Sequence, residues 1–267
     1  MKSLLALSAL HKASCRPEQK PYYVAAALEY HRQASEGARN LLGTVTPETA
    51  TGLFLFSSLT VLVVLNVPKP PVKTNSSVPE EVEFIQGLLW TIQGIRSIRD
   101  VLGDAMQEGQ LAPLAQHCEH RWPLQFGSNF PDASDSSQSE STDIMLNDLQ
   151  ERLCSTASGV EEVLQYQALV ASLREALYLT PCWDELDLFM WLYRSLDDFS
   201  MATDIPTQNS LVIWAHLAVV IKMYERQWWL QGWGEHIMAS VYERLDAKHK
   251  PWVYGAALEM GWIIPDM

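Results

Sequence analysis

The 267-residue sequence predicts an all-α, multi-helix fold with no β-sheet, and three observations lead to that prediction. Apolar residues recur at three- and four-residue steps through several long segments, which is the spacing of one helix face. Thr and Pro stand where such segments begin, and Gly stands where one of them ends, as helix-capping residues do. Hydrophobic residues make up 48% of the chain, against only 13 Gly and 14 Pro, so a large helical core can form.

The sequence predicts two helices before Gly43. Residues 1–14 form one helix, and a second runs from Tyr22 to Leu42 with Gly43 as its stop. Pro21 suits the first position of this second helix, because the missing N–H of proline has no helical partner there in any case.

A third, strongly apolar helix is predicted after Thr46, which suits the N-cap, and Pro47, which suits the first position. Its run LFLFSSLTVLVVL is rich in β-branched residues and resembles a strand by propensity alone, but its length and its cap favour a buried helix. Residues 49–68 carry no charge and reach the length of a membrane-spanning helix. Gly, Ser, Thr and Asn interrupt the stretch, so we expect no membrane span.

The middle of the chain alternates between linker and helix. Residues 68–79 are proline-rich and predict a stiff linker, whereas residues 80–106 have one apolar stripe and predict a long helix. The helical pattern fails over residues 109–142, and the Ser- and Asp-rich stretch at about 127–142 predicts a disordered loop. We therefore expect a single all-helical domain over residues 1–267, interrupted by that loop.

The last third is organised around Leu211–Met223, which is apolar on all sides and must be covered by other elements. An amphipathic helix is predicted over Gln227–Leu245, where Gly232 and Gly234 indicate a bend or a close backbone approach. Three further helices are predicted upstream, over residues 143–155, 159–179 and 181–199.

The charge and the cysteines exclude some functions. The net charge is −13, and an acidic surface repels phosphate, so we expect no direct DNA binding by this chain alone. The four cysteines, at positions 15, 118, 154 and 182, are far apart and include no CxxC pair. This spacing is typical of reduced thiols in the cytosol or nucleus and fits neither a disulfide framework nor a zinc cluster.

Candidate metal and catalytic groups are few. His117, Cys118 and His120 form an HCxH group with no partner pair elsewhere, which favours an ordinary polar loop over a metal site. His216 lies within the most apolar helix, where a hydrogen-bonded core histidine is more common than a catalytic base. We expect no catalytic residues, no metal site and no cofactor, and hence no enzyme.

An all-α enzyme similar to terpene cyclases remains an alternative because of the pair Asp197-Asp198. Those enzymes hold Mg²⁺ and a diphosphate with an aspartate-rich motif. Here the third carboxylate is missing at the expected step, and no basic cluster stands ready for the diphosphate.

Eight of the ten tryptophans lie between Trp183 and Trp262. They can form a large aromatic core or line a concave apolar pocket for a hydrophobic small molecule. The residues expected to line such a pocket are Trp214, Trp228, Trp229, Trp233, Trp252 and Trp262.

Several aromatic and aliphatic runs carry a family resemblance: LVIWAHLAVVIKM, WWLQGWGEHI and ALEMGW near the C-terminus, and LLALSAL, AALEYHRQASEGARNLL and residues 46–67 upstream. Together they resemble the regulatory domain of fungal zinc-cluster transcription factors of the sterol-uptake-regulator type. The resemblance covers most of the chain except residues 68–142. It implies a domain rather than a chemistry.

The resemblance implies an effector-sensing transcription regulator in the nucleus, or shuttling between nucleus and cytoplasm. Relatives that sense sterols bind ligand in this C-terminal region, which implies a sterol- or lipid-like effector. Other implied partners are the transcription machinery, a partner regulator or a second copy in a homodimer. The six-cysteine DNA-binding module is absent from this sequence, so we expect either a fragment or truncated gene model, or a regulator that acts through partners. The alternative is a helical interaction scaffold without ligand.

Overall fold

The structure is a computed structural model that describes residues 1–43, 45–67, 80–126, 137–179, 184, 187–199 and 207–265. These residues form twelve α-helices and contain no strand, so the all-α prediction is confirmed. The helices are α1 (Lys2–Cys15), α2 (Lys20–Leu42), α3 (Pro47–Asn66), α4 (Glu80–Leu102), α5 (Ala105–Glu108), α6 (Ala112–Phe126), α7 (Ser137–Thr156), α8 (Val160–Leu179), α9 (Asp187–Arg194), α10 (Gln208–Met223), α11 (Trp233–Arg244) and α12 (Tyr254–Glu259).

The chain divides into two compact units, and the single domain over residues 1–267 stays a prediction. Unit 1 comprises Met1–Pro70 and Gly87–Leu124, and unit 2 comprises Pro71–Gln86 and Gln125–Met267. The apolar helices α3 and α10, which look alike in sequence, therefore belong to different units.

Unit 1 begins with the antiparallel helices α1 and α2. The face that α1 buries is made mostly of small side chains, which allow close packing: Ser3, Ala6, Ala9, Leu10 and Ala13. Lysines at both ends of α1 lie over tyrosine rings of α2. The Nζ of Lys2 is 5.6 Å from the ring centroid of Tyr30, and the Nζ of Lys12 is 5.9 Å from that of Tyr23. This order of contacts fixes the antiparallel register.

Helix α3 begins as the sequence predicts, with Thr46 at the N-cap and Pro47 in the first turn. The backbone N–H of Thr46 donates to Thr49 Oγ1 at 3.0 Å, as in a capping box. Leu53 and Phe54 join a buried cluster with residues of α2, α4 and the segment before α6. By length and composition Glu48–Asn66 could cross a membrane, but buried core helices meet the same criteria, and 33% of its most apolar stretch is buried here.

The segment after α3 differs from the prediction at several points. Helix α4 ends at Leu102 rather than Met106, because Gly103 takes a positive φ of 49° and ends the helix. Its buried positions include Ile98, whereas Val101 is 43% exposed. The region 109–142, where the helical pattern fails, contains all of α6 and the start of α7.

The disordered loop predicted at about 127–142 is therefore helical over residues 137–142. Residues 127–136 lie outside the described residues, as does the linker predicted over residues 68–79.

Unit 2 is built around α10, whose residues from Ser210 to Ile221 are all buried. It packs against α8, α11, α12 and a 3₁₀ turn at Lys250–Val253. Thr207 caps it by accepting the Ser210 N–H at 3.1 Å. The prediction of an apolar central helix covered by its neighbours is confirmed for this segment.

The amphipathic helix predicted over Gln227–Leu245 begins later than expected. From Tyr224 to Trp233 the chain makes successive tight turns, in which the N–H groups of Gln227, Leu230 and Trp233 each donate to the carbonyl three residues earlier. Gly232 has a φ of 75° at the N-cap of α11, and this left-handed conformation separates the turns from the helix.

Candidate functional site

A close approach of two backbones joins α10 to α11 in unit 2. A Cβ atom built on Gly234 would lie 2.8 Å from Lys222 Cβ and 2.9 Å from the backbone oxygen of Ala218. Only glycine fits this crossing without a shift of one helix. The sequence-based expectation of a close approach at this glycine is confirmed.

Glu225 ties the two ends of the same corner together. Its Oε1 accepts the backbone N–H of Gly234 at 2.8 Å, and its Oε2 accepts Lys222 Nζ at 3.0 Å. Lys222 also donates to Glu235 at 2.6 Å. The turn that carries Trp228 and Trp229 is thus held at its base by charged hydrogen bonds.

An aromatic cluster lies beside this corner and consists of Phe189, Tyr224 and Trp229. Phe189 from α9 stacks on Trp229 with 5.0 Å between ring centroids, and Tyr224 lies 6.1 Å from Trp229 in a tilted arrangement. Tyr224 is 0% exposed and Trp229 is 7% exposed. The cluster thus joins α9 to the turn after α10.

The hydroxyl of Tyr224 is buried, and the side chain of Arg226 donates a hydrogen bond towards it. Burial, followed by the negative charges of Asp187 and Asp184, raises the pKa of Tyr224, so the phenol keeps its proton. Asp187, at the start of α9, is itself fully buried and accepts the Asp184 N–H at 2.7 Å. Arg226, an exposed residue, lies 5.5 Å from the centroid of the Tyr224 ring.

Trp214, in the middle of α10, is fully buried, and its indole Nε1–H has no hydrogen-bond acceptor among the described residues. A buried indole N–H normally finds an acceptor, so this donor is an unusual feature of the central helix.

The other predicted pocket residues have different surroundings. Trp233 is buried, and its ring lies edge-on to that of His236 with 5.7 Å between ring centroids. Trp252 is also buried; its ring centroid lies 4.5 Å from that of His249 and 5.7 Å from Arg152 Cζ. Trp262 lies 5.4 Å from Tyr242 between ring centroids and, like Trp228, is only partly buried. Four of the six predicted residues are therefore core by burial: Trp214, Trp229, Trp233 and Trp252. One pocket lined by all six remains a prediction.

His216 is a buried core histidine, as the sequence indicates. Its Nδ1 donates to the Val212 carbonyl at 2.8 Å. Burial lowers the pKa of His216 to about 4, although this bond and the charge of Asp148 act in the other direction. The imidazole is therefore neutral near pH 7 and serves the packing of α10.

The other chemical candidates from the sequence are placed as follows. His117, Cys118 and His120 lie on helix α6 rather than in a loop. Arg194 pairs with Glu175 and lies near Asp198, whose pKa is raised by burial and by Asp197. No group of three or more His, Cys, Asp or Glu side chains among the described residues could hold a metal ion.

Sequence reasoning did not identify Tyr224 or Phe189 as site residues. A signal for Tyr224 was present, because it follows Leu217 and Val220 at three- and four-residue steps on one face of the central helix. Phe189 could not be assigned to Trp229, since their contact joins residues 40 positions apart that share no sequence pattern. No family model, curated protein or solved structure matches the chain.

Proposed function

We propose that the chain is the effector-sensing regulatory domain of a transcription regulator of the fungal zinc-cluster type, with a hydrophobic small molecule as its effector. The protein acts in the nucleus or shuttles between nucleus and cytoplasm. It reaches DNA through a partner or through a module outside this chain. The acidic charge of −13 supports a role without direct DNA contact.

The observation that carries the proposal is the combination of stacked aromatic rings and an unsatisfied buried donor in unit 2. Ligand sites for apolar molecules are lined by aromatic side chains with a few placed polar groups. Phe189 and Trp229 supply stacked rings, and Trp214 supplies a buried indole N–H with no acceptor among the described residues. A ligand oxygen would satisfy what the fold leaves unpaired.

Ligand binding can be tested by thermal unfolding with a panel of sterols and fatty acids. A ligand at a hundred times its Kd stabilises the folded state by about 2.7 kcal/mol, which raises the melting temperature measurably. We expect Trp229→Phe to reduce this rise, since it shortens the ring that stacks on Phe189. Trp252→Phe is the control, because Trp252 packs on His249 and Arg152 instead.

The regulatory role can be tested by fusing the chain to an unrelated DNA-binding module and measuring a reporter gene. A ligand that stabilises the protein should change reporter expression, and Trp229→Phe should weaken the response. A panel in which no molecule raises the melting temperature would contradict effector sensing. A bound ligand that leaves the reporter unchanged would contradict transcriptional regulation alone.

A further inference from the structure

We propose that Ser141, near the start of α7, is a phosphorylation site for a serine/threonine kinase that prefers acidic substrates, and that its phosphate releases α12 from α7. This inference goes beyond the proposed function, since it requires neither a ligand nor a DNA-binding partner. It combines the contact made by one serine hydroxyl, the packing of α12 on α7 and the charge of the surrounding sequence.

The first observation is the contact of Ser141 with α12. The Ser141 hydroxyl donates to Glu259 Oε2 at 2.5 Å, and Thr142 Oγ1 donates to Glu259 Oε1 at 3.2 Å. Both carboxylate oxygens of one residue of α12 are therefore held by neighbouring hydroxyls of α7. Ser141 is exposed, so a kinase can reach its oxygen, whereas Thr142 is buried.

The second observation is how closely α12 packs on α7. A Cβ atom built on Gly255 would lie 3.1 Å from Met145 Cγ, so the backbone of α12 lies directly against a side chain of α7. Ala256 and Ala257 of the same helix are fully buried. Close-packed interfaces do not deform gradually, so a repulsion at Glu259 acts on the docking of α12 as a whole.

The third observation is the sequence around Ser141. Residues 122–151 contain no Lys, Arg or His. The acidic residues of this segment are Asp132, Asp135, Glu140, Asp143, Asp148 and Glu151. A kinase with a basic substrate groove selects such a segment by charge complementarity. Ser141 lies in the second turn of α7, and helix ends open at little free-energy cost, so the serine can enter such a groove.

The reaction is an ordinary phosphoryl transfer. The Ser141 oxygen attacks the γ-phosphorus of ATP, the bond from that phosphorus to the β,γ-bridging oxygen breaks, ADP leaves, and the hydroxyl proton passes to a base of the kinase. The proton that Ser141 donates to Glu259 is thereby replaced by a group with a charge of about −1.5 to −2 at pH 7. Repulsion between this group and the Glu259 carboxylate favours detachment of α12.

The test treats the full chain with ATP, Mg²⁺ and a purified serine/threonine kinase that prefers acidic substrates. Mass spectrometry of proteolytic fragments locates the phosphate, and amide hydrogen exchange over residues 254–262 measures the docking of α12. Two variants are treated in parallel. Ser141→Ala has no oxygen to phosphorylate at this position, and Glu259→Gln removes the charge that the phosphate would face.

A matched pair of variants needs no kinase. Ser141→Glu places a negative charge beside Glu259. Ser155→Glu places the same charge at the other end of α7, where the serine hydroxyl donates to the Arg152 carbonyl rather than to a carboxylate. The pair separates a local repulsion from the general effect of one more negative charge on unit 2.

We expect kinase treatment to place a phosphate on Ser141 and to accelerate exchange over residues 254–262 about tenfold, the value of one lost hydrogen bond to a charged group. The same treatment should leave exchange in Ser141→Ala unchanged and should change it much less in Glu259→Gln. Without kinase, Ser141→Glu should accelerate exchange over residues 254–262, and Ser155→Glu should not.

Each possible failure contradicts a stated part of the inference. Absence of phosphate at Ser141 would overturn the assignment of the site. Phosphate at Ser141 with unchanged exchange over residues 254–262, or equal acceleration in Glu259→Gln, would overturn the release of α12 by charge repulsion. Equal acceleration in Ser141→Ala would assign the effect to another residue and overturn the inference. None of these outcomes affects ligand binding by unit 2.

Discussion

Helices α3 and α10 are both long, apolar and nearly free of charge, yet they are buried to very different extents. In α10 every residue from Ser210 to Ile221 is buried. In α3 most positions are only partly buried, and Leu55 is 42% exposed. Helix α10 is covered by α8, α11, α12 and a 3₁₀ turn, whereas α3 is covered by α1 and α2 and, through one cluster, by α4.

The comparison teaches that an apolar composition shows that a helix needs neighbours to bury it, but does not show how many neighbours the fold provides. The polar side chains of α3 form hydrogen bonds within their own helix. Ser58, Thr60 and Asn66 each donate to a carbonyl four residues earlier in the same helix, at 2.8, 2.8 and 2.7 Å. In α10, Asn209 instead reaches other elements by donating to Thr156 and Tyr166, whereas His216 donates to the Val212 carbonyl within the helix.

The largest expected difference between the helices is in the cost of a cavity. Ile213→Ala in α10 should lower the free energy of unfolding by about 2–5 kcal/mol, because Ile213 is 1% exposed and its neighbours cannot all collapse into the space. Leu55→Ala in α3 should change it by about 0.5 kcal/mol or less. Denaturant unfolding followed by tryptophan emission tests the first, and amide hydrogen exchange over residues 47–66 tests the second. Equal losses would mean that both helices are equally enclosed.

A second expected difference concerns pH and the histidines His216 and His31. His216 stays neutral in the folded state down to a pKa of about 4, whereas the unfolded chain takes up a proton near the ordinary value of 6.5. Its contribution to stability is therefore complete above pH 6.5 and is lost as pH falls towards 4, by on the order of 3 kcal/mol. His31, stacked on Phe56 in unit 1, also has its pKa lowered by burial but is only half-buried, so its loss should be smaller.

The measurement is denaturant unfolding between pH 7.5 and 4.5 for wild type, His216→Gln and His31→Gln. The difference between wild type and His216→Gln should change steadily below pH 6.5, and that for His31→Gln should change less. A pH-independent difference for His216→Gln would show that His216 is already protonated in the folded protein.

The smallest expected difference is between two glycine-to-alanine changes, at Gly234 where α11 crosses α10 and at Gly52 in α3, and their effects on stability should have opposite signs. Gly234→Ala should destabilise unit 2 by about 1–3 kcal/mol, because the new methyl group would meet Lys222 and the Ala218 carbonyl. Gly52→Ala in α3 meets nothing within 4 Å and should stabilise unit 1 by about 0.5–1 kcal/mol through helix propensity. Unfolding by emission and hydrogen exchange over residues 47–66 would check the two signs. A stabilising Gly234→Ala would contradict the close crossing.

The sequence predicts those features whose causes are local. Thr46 and Pro47 identify the start of α3, and the uninterrupted apolar run identifies α10, because caps and periodicity depend only on near neighbours. The turn from Tyr224 to Gly232 is missed because its residues keep the apolar spacing of a helix, and only the positive φ of Gly232 interrupts it. Helix α6 is missed because its sequence, with Pro113 and Pro123, lacks a clear apolar stripe.

The candidate site was predicted in part. Tryptophan density directed attention to unit 2, and Trp229 does lie in an aromatic cluster. The unsatisfied indole N–H of Trp214 could not be predicted, since the lack of an acceptor among the described residues depends on every element that surrounds the ring in space.

The order in which the elements of unit 2 leave the ribosome gives the burial of α10 a kinetic consequence. Unit 1 is complete once Leu124 has been synthesised, and its α1–α2 contacts are local, so it can form early. Helix α10 emerges later, and two of its covers, α11 and α12, are the last helices to follow it. Until they dock, an entirely apolar helix is open to other chains. We expect truncation at Asp246, which removes α12, to direct newly made protein into aggregates while unit 1 still folds.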